Sequence, residues 1–243
     1  MEKKDNSITA VIIQARMKSS RFYGKILKKI NNKTLLDILI SRLNKLKEAD
    51  KIIIATSKSV EDKKIVNICK KNNYDYFIGS ENNVQSRYYG AAKKFNVSNI
   101  IRITSDCPLI DINIIKKIRK LYHSKKKKKY VSNVIFPTYP DGMDVEMFPF
   151  ELLEQRIRKK ISKFEKEHVT PFFINQKKKE NNLFYSNNYS KLRLTIDTKD
   201  DYLIIKKIIK HFDNDIFVTL KDIVSLYKRN PGFFEKNQNV KRR

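Results

Sequence analysis

The chain has no tryptophan, little glycine and only two cysteines among its 243 residues, and the last two scarcities each close off a function. A dinucleotide-binding fold needs G-x-G-x-x-G after its first strand, whereas the segment AVIIQARMKSSRFYGKIL carries Gly24 alone. A Walker phosphate loop needs G-x-x-x-x-G-K-[ST]. Gly24 and Lys25 supply the central pair, but Ser19 stands at the first glycine and Ile26 at the final hydroxyl. Cys69 and Cys107 make neither a disulfide framework nor a four-ligand zinc site, which suits a reducing compartment. No apolar run approaches the ~18 residues of a membrane span. The start, MEKKDNS, lacks the apolar stretch of a secretory signal, so a cytoplasmic location is expected.

Positive charge, by contrast, is abundant. Lysine and arginine number 53 against 26 acidic residues, a formal balance of +27, which attracts nucleic acid, anionic membrane surfaces or phosphorylated small molecules. The chain is also rich in Lys, Asn and Ile, the bias of an AT-rich genome, so much of this charge is expected on solvated surfaces. The densest run, Lys125 to Lys129 between Tyr122 and Tyr130, is the best nucleic-acid patch on offer. It reads instead as the polar end of a helix leading into a strand, and nucleic acid is not expected as a partner.

Hydrophobic periodicity alternates between strand and helix along the chain, as in a doubly wound α/β sheet. Val11, Ile12 and Ile13 form a short β-branched strand of the kind found inside parallel sheets. Leu35, Leu36, Leu39, Leu43 and Leu46 follow at helical spacing within 34–47. Strands are expected at 51–56, 74–79 and 99–104, and helices over 60–71 and 83–95. A further helix runs from the N-cap Asp111 to His123. Beyond Tyr130 turn residues interrupt short strands, and 136–190 reads as an insertion covering the pocket. KLRLTID, 191–197, is expected to return to the main sheet as a strand, followed by helices over 200–212 and 220–229. Residues 231–243 are expected to form a loose tail. Without a repeat or a low-complexity linker, the chain reads as one domain, 1–243.

In open α/β sheets, ligands bind beyond the carboxyl ends of the strands. Arg16, Lys18, Arg21 and Lys25 crowd the loop after the first strand, Asp106 lies two residues beyond the strand ending at Thr104, and Asp197 ends LRLTI. Cations there suit a triphosphate, and two carboxylates with phosphate oxygens suit Mg²⁺. A solvated basic turn is the plain alternative for the loop. Helix N-capping is the alternative for each aspartate.

The segments IIQARMKSSRFYGKIL, IIIATS, GSENNVQSRYYGAA, IIRITSDCPLID, VSNVIFPTYPDGMDVEMF, EKEHVTPFF and LRLTIDTKDDYLII occur in this order between about Thr9 and Ile208. Together they resemble the cytidylyltransferases of the spore-coat polysaccharide biosynthesis type, related to the CMP-Kdo and CMP-acylneuraminate synthetases. The resemblance implies a Rossmann-like nucleotidyltransferase fold, mostly parallel with helices on both faces and a small inserted acceptor or dimerisation segment. It also implies CTP as donor, Mg²⁺ as cofactor, an acidic sugar or similar acceptor, release of pyrophosphate, and a homodimer. By position, Arg16 and Lys25 resemble the residues that hold the triphosphate and act in catalysis, with Ser19, Ser20 and Arg21 lining it. Asp106 and Asp197 resemble the metal-binding pair. Ser80, Gln85 and Arg87 fall where the family shapes the base and ribose pocket. Tyr139, Asp141, Asp144 and Glu146, with Glu167 and His168, fall in the acceptor half.

Several positions depart from the family pattern. The loop often reads M-G-S-T-R-L-P-G-K, and here Lys18, Phe22 and Tyr23 replace the glycine, leucine and proline; Asn82 and Asn83 replace a frequent acidic pair. Tyr139-Pro140-Asp141-Gly142 is a sound turn on structural grounds alone, and His168 reads as a hydrogen-bonded structural histidine. A glycosyltransferase with a metal-binding D-x-D pair is the nearest rival. Its one close match, Asp213-Asn214-Asp215, falls after a late helix rather than beyond a core strand. A basic nucleic-acid-binding protein is the rival of another class.

Overall fold

A computed structural model of the protein describes residues 7–127, 129–238 and 240. Lys128 of the basic run, most of MEKKDNS and residues 239 and 241–243 of the tail lie outside the described residues. The chain opens with β1 (Ile8–Gln14), then a short hairpin of β2 (Lys29–Ile30) and β3 (Lys33–Thr34) leads into α1 (Leu35–Leu43). Next come β4 (Lys51–Ser57), α2 (Lys63–Lys71), β5 (Asp75–Gly79), α3 (Val84–Lys94), β6 (Val97–Thr104) and α4 (Ile112–His123). The second half holds β7 (Val131–Ser132), β8 (Glu146–Pro149), α5 (Phe150–Ile157), α6 (Lys163–His168), α7 (Pro171–Ile174), α8 (Lys199–His211) and α9 (Leu220–Arg229).

The sheet runs β5-β4-β1-β6-β8-β7. β5, β4, β1 and β6 are parallel, β8 pairs antiparallel with β6, and β7 pairs antiparallel with β8. Successive strands move outward from β1 through β4 to β5, and the chain then crosses to β6 on the other side of β1. The strand order therefore reverses between β1 and β6, which opens a crevice beyond their carboxyl ends. Alternate residues of β1 serve two cores: Val11 and Ile13 pack with α1, α4, α8 and α9, while Ala10 and Ile12 pack with α3, α5 and α7. A strand buried on both faces reads as a continuous apolar run, as VII does.

Local sequence sets the helix starts. Thr34, Thr198 and Thr219 form capping boxes with Asp37, Asp201 and Asp222, and Ser162 forms one with Glu165. The expected cap at Asp111 is present, its carboxylate accepting from the Asn113 amide at 2.8 Å.

Three expectations are corrected. Residues 191–197 do not join the sheet: Arg193 makes one isolated bridge to Asp141. β6 already has β1 and β8 as neighbours, so the alternating Leu192, Leu194 and Ile196, all buried, are held against loops instead. Their backbone is tied by Asp141 N to Leu192 O at 2.9 Å, Leu194 N to Asp141 O at 2.7 Å and Ile196 N to Asp106 O at 2.8 Å. The apparent strand YVSNVIF keeps only Val131–Ser132 in the sheet. The start of the expected loose tail, Pro231–Asn237, is a 3-10 helix with Phe233 and Phe234 buried. Asn237 donates to Arg193 O at 3.2 Å and to Asp201 Oδ1 at 3.0 Å.

Candidate active site

A cleft opens at the strand-order reversal. The loop after β1 lines it with Arg16, Lys18, Ser19, Ser20, Arg21 and Lys25, and the loop after β6 adds Ser105, Asp106 and Cys107. Asp62, buried beneath the first loop, accepts from the Met17 amide at 2.6 Å and from Ser57 Oγ at 2.5 Å. Gly24 closes the loop onto Met17 O at 2.9 Å. It does so at φ 64, where a Cβ would lie only 3.1 Å from the Met17 methyl, so both conformation and space favour glycine. The following 3-10 turn, Lys25–Leu27, aims Lys25 inward.

Lys25 is 8% exposed. Its Nζ donates to Asp106 Oδ2 at 2.9 Å, Asp197 Oδ1 at 2.9 Å and Ile196 O at 2.6 Å. The second oxygen of Asp197 meets Arg21 Nη2 at 2.7 Å and Arg193 Nη2 at 2.8 Å. Arg193 also binds Asp201 through Nε at 2.8 Å and Asp141 through Nη1 at 2.6 Å. Burial disfavours charge on Asp197, but Lys25, Arg21 and Arg193 outweigh it and hold its pKa at about 2. Asp106 is likewise lowered, burial being overcome chiefly by Lys25. Burial also opposes the Lys25 ammonium, and the two carboxylates reverse that and raise its pKa. All three groups are therefore charged at neutral pH.

Neither aspartate caps a helix, because Asp111 caps α4 and Thr198 caps α8. Among the described residues no group of three or more His, Cys, Asp or Glu side chains is arranged to hold a metal ion. Two carboxylates and a carbonyl nevertheless converge on the single point filled by Lys25 Nζ. Oxygen donors of this kind suit a hard divalent cation, with substrate oxygens and water completing its shell.

The β1 loop and α3 add further cations to the lining. Arg16 reaches Glu167 Oε1 at 3.4 Å and Lys18 reaches Glu81 Oε1 at 3.4 Å, both at the solvent edge. Arg87 is 1% exposed and lines the cleft, and its Nε and Nη1 have no hydrogen-bond partner among the described residues. Burial, and then the nearby Arg16, lower its pKa.

Asp141, Asp144, Glu167 and His168 also line the cleft. Four of the expected site residues do not. Ser80 sits half-exposed after β5, outside the wall. Gln85 is buried and donates to Val169 O at 2.9 Å. Tyr139 is buried against Tyr185, with ring centroids 4.9 Å apart. Glu146 is buried beneath Arg102, with which it is ion-paired, and accepts from Tyr130 Oη at 2.6 Å. Of the departures from the family pattern, Asn83 caps α3 by accepting from the Ser86 amide at 2.9 Å. Tyr23 is 54% exposed.

Sequence reasoning missed Arg102 and Arg193. Arg102 lines the cleft and donates to Gln14 Oε1 at 3.0 Å. Each is the lone cation in an otherwise apolar stretch, NIIRIT and LRLTI. A charge that must be buried to keep such a pattern was the available signal.

The sequence and fold have counterparts. The chain is 37% identical over 239 residues to an uncharacterised protein of Methanocaldococcus jannaschii, covering 96% of this chain and 95% of that one. It is 28% identical over 229 residues to the spore coat polysaccharide biosynthesis protein SpsF of Bacillus subtilis, covering 90% and 94%. A solved cytidylyltransferase structure from Leptospira borgpetersenii superimposes with a TM-score of 0.88 at 32% identity, covering 98% of this chain and 99% of that one. The Cytidylyltransferase family profile matches residues 10–240, and the chain belongs to that family.

Proposed function

We propose that the protein transfers CMP from CTP to a sugar-like acceptor and releases pyrophosphate, in the synthesis of a surface polysaccharide or glycan. Family membership makes it a CTP-dependent nucleotidyltransferase. The relative SpsF, a spore coat polysaccharide biosynthesis protein, supports the glycan setting. The observation that carries the reading is the meeting of the cationic β1 loop with Asp106 and Asp197 at the β1/β6 reversal.

In this reading the acceptor oxygen attacks the α-phosphorus and the bond to the β-phosphate oxygen breaks, with pyrophosphate leaving past the β1 loop. Such transfers depend mainly on alignment and charge stabilisation. Arg16, Lys18 and Arg21 bind the triphosphate, and Ser19 and Ser20 offer hydroxyls to it. Lys25 neutralises charge that builds on the leaving pyrophosphate. Arg87 fits the nucleotide because its buried side chain lines the cleft with Nε and Nη1 unpaired among the described residues. Asp141, Asp144, Glu167 and His168 form the acceptor wall. Glu146 and Tyr130 act indirectly, by fixing Arg102.

Mg²⁺ belongs to the proposal: Asp106 and Asp197 would hold it together with phosphate oxygens, and when bound it supplies Lewis-acid polarisation of the phosphate. So do a homodimer, for which Phe136, Phe164, Phe172 and Phe184 leave exposed aromatic surface, and a cytoplasmic location, where CTP is made. No helix among the described residues is long and apolar enough to cross a membrane. The glycosyltransferase alternative draws no support: Asp213 and Asn214 turn the chain after α8 at φ 51 and 64, and neither lines the cleft.

The test is pyrophosphate release from each of the four nucleoside triphosphates with Mg²⁺ and a panel of sugars, acidic ones included. Release from CTP alone, and only with an acceptor, is expected. Equal release from all four would defeat the reading.

A further inference from the structure

The cradle formed by Asp106, Asp197 and Ile196 is already full. An ammonium has three hydrogens to donate, and Lys25 uses them on three oxygens at 2.9, 2.9 and 2.6 Å. These are the oxygens a hard cation would take, and a divalent ion at ~2.1 Å from them would occupy the volume of Nζ itself. The two cannot share the cradle, and their like charges in a poorly hydrated site would repel strongly. Asp197 cannot turn its other carboxylate oxygen toward an incoming ion without breaking contacts, because Arg21 and Arg193 hold it at 2.7 and 2.8 Å.

We infer that Lys25 is a resident stand-in cation, which keeps the carboxylate cradle closed to divalent ions until the triphosphate draws its ammonium away. The inference rests on the proposed role of Asp106 and Asp197 as the metal-holding pair, and adds an order of events to it. CTP enters first, by the β1 loop, and its phosphate oxygens give Lys25 new acceptors. The vacated oxygens then accept the divalent ion together with those phosphates. Without nucleotide, Lys25 preserves the folded geometry of two adjacent carboxylates that would otherwise repel. The arrangement keeps the free enzyme from holding a metal that has no substrate to act on.

The probe is Mn²⁺ alone, followed by electron paramagnetic resonance in the absence of nucleotide. Wild-type protein is expected to bind it weakly, and Lys25→Met, with the stand-in charge removed, at least on the order of tenfold more tightly. Lys25→Met should also gain thermal stability on adding Mn²⁺, which the wild type should not, and adding Asp106→Asn to the variant should abolish both effects. If Lys25→Met does not fold, the wild type still decides. Tight Mn²⁺ binding by the free wild-type enzyme, lost in Asp106→Asn, overturns the inference while leaving the metal-holding pair intact. Absence of bound Mn²⁺ in Lys25→Met, and in wild type with CTP, overturns the metal-holding pair and the inference with it. CTP affinity measured in chelator reports separately on the cytidylyltransferase reading.

Discussion

Gln85 donates its side-chain amide to the carbonyl of Val169 at 2.9 Å, and Val169 is a β-branched residue held at φ 68 and ψ −52. The turn is closed by Thr170 N to His168 O at 2.8 Å. Backbone in this tight γ-turn region is strained by ~1–3 kcal/mol and needs surrounding contacts to persist. Gln85 supplies one, and the turn presents Glu167 and His168 to the cleft. Gln85→Leu should lower stability by about 1–2 kcal/mol through the unpaired carbonyl and raise the KM for acceptor. Its preference for CTP over UTP should be unchanged. Loss of that preference would return Gln85 to the base pocket.

Asp106→Asn and Asp197→Asn test the proposed pair. Neither residue caps a helix, so Asn offers no compensating cap. Each variant should remain folded but lose about 10²-fold in turnover. The double variant should be little worse than either, since groups acting as a unit are not additive. Thermal unfolding beside Mg²⁺-dependent pyrophosphate release gives the answer, and full activity in Asp197→Asn would remove the pair.

Arg87→Met should separate binding from folding. A buried guanidinium with Nε and Nη1 unpaired is a cost in the free protein, so the variant should be at least as stable as wild type. If Arg87 meets the nucleotide, the KM for CTP should rise by about tenfold or more, one decade for each ~1.4 kcal/mol lost. A lower melting temperature with unchanged CTP kinetics would assign Arg87 to structure.

Acid should loosen the site in a definite window. The folded pKa of Asp197 is about 2 against an ordinary 3.8, so its stabilisation is full above the ordinary value and lost as pH falls through the folded one. It amounts to about 2 kcal/mol and should disappear between about pH 4 and pH 2. Lys25 is shifted up, so its contribution persists through neutral pH and is lost only as pH rises through its raised pKa. Denaturant titrations at stepped pH, with Asp197→Asn flattening the acid limb, check both signs.

The described lysines of the basic run, 125–127 and 129, lie outside the cleft, and Lys125 is taken up by the Glu180 carbonyl. Replacing the run with mixed polar residues should leave CTP turnover within about twofold, as expected for screened surface charge. A salt-sensitive RNA or DNA complex that vanishes with the run would revive the nucleic-acid alternative.

The parallel half of the fold was legible because its rules are local. VII and KIIIAT announce buried strands, and Asp111 announces a cap. The cleft was legible in part because ligands gather where strand order reverses, which brought Arg16, Lys25 and Asp106 together. Residues 191–197 misled because alternation reports burial and not hydrogen-bonding partners. Leu192, Leu194 and Ile196 are buried as their spacing demands, yet β8 had taken the edge they would have used. Gln85, Tyr139 and Glu146 sit in segments whose neighbours line the cleft, but each side chain turns into the core. Gln85 lies in the first turn of α3, Glu146 begins β8 and Tyr139 lies in a loop, so at the ends of elements and between them nearness in sequence to a cleft residue does not set the direction of a side chain.

The Lys25 contacts join residues 81, 171 and 172 positions apart, and this separation bears on how the protein is made. Contacts so distant in sequence form late in folding, after the loops between them have been closed. On a chain still emerging from the ribosome, all of β1 to β6 is made before Ile196 and Asp197 exist, so at that stage Lys25 has at most Asp106, half its counter-charge. Docking of α8 and the 3-10 helix after α9, which secures Arg193 through Asp201 and Asn237, is then the event that finishes the site. The complete carboxylate cradle would thus arrive only with the last quarter of the chain, whereas the cations of the β1 loop and Arg87 precede it, so truncated products would keep the groups proposed to bind CTP but lack the proposed metal-holding pair.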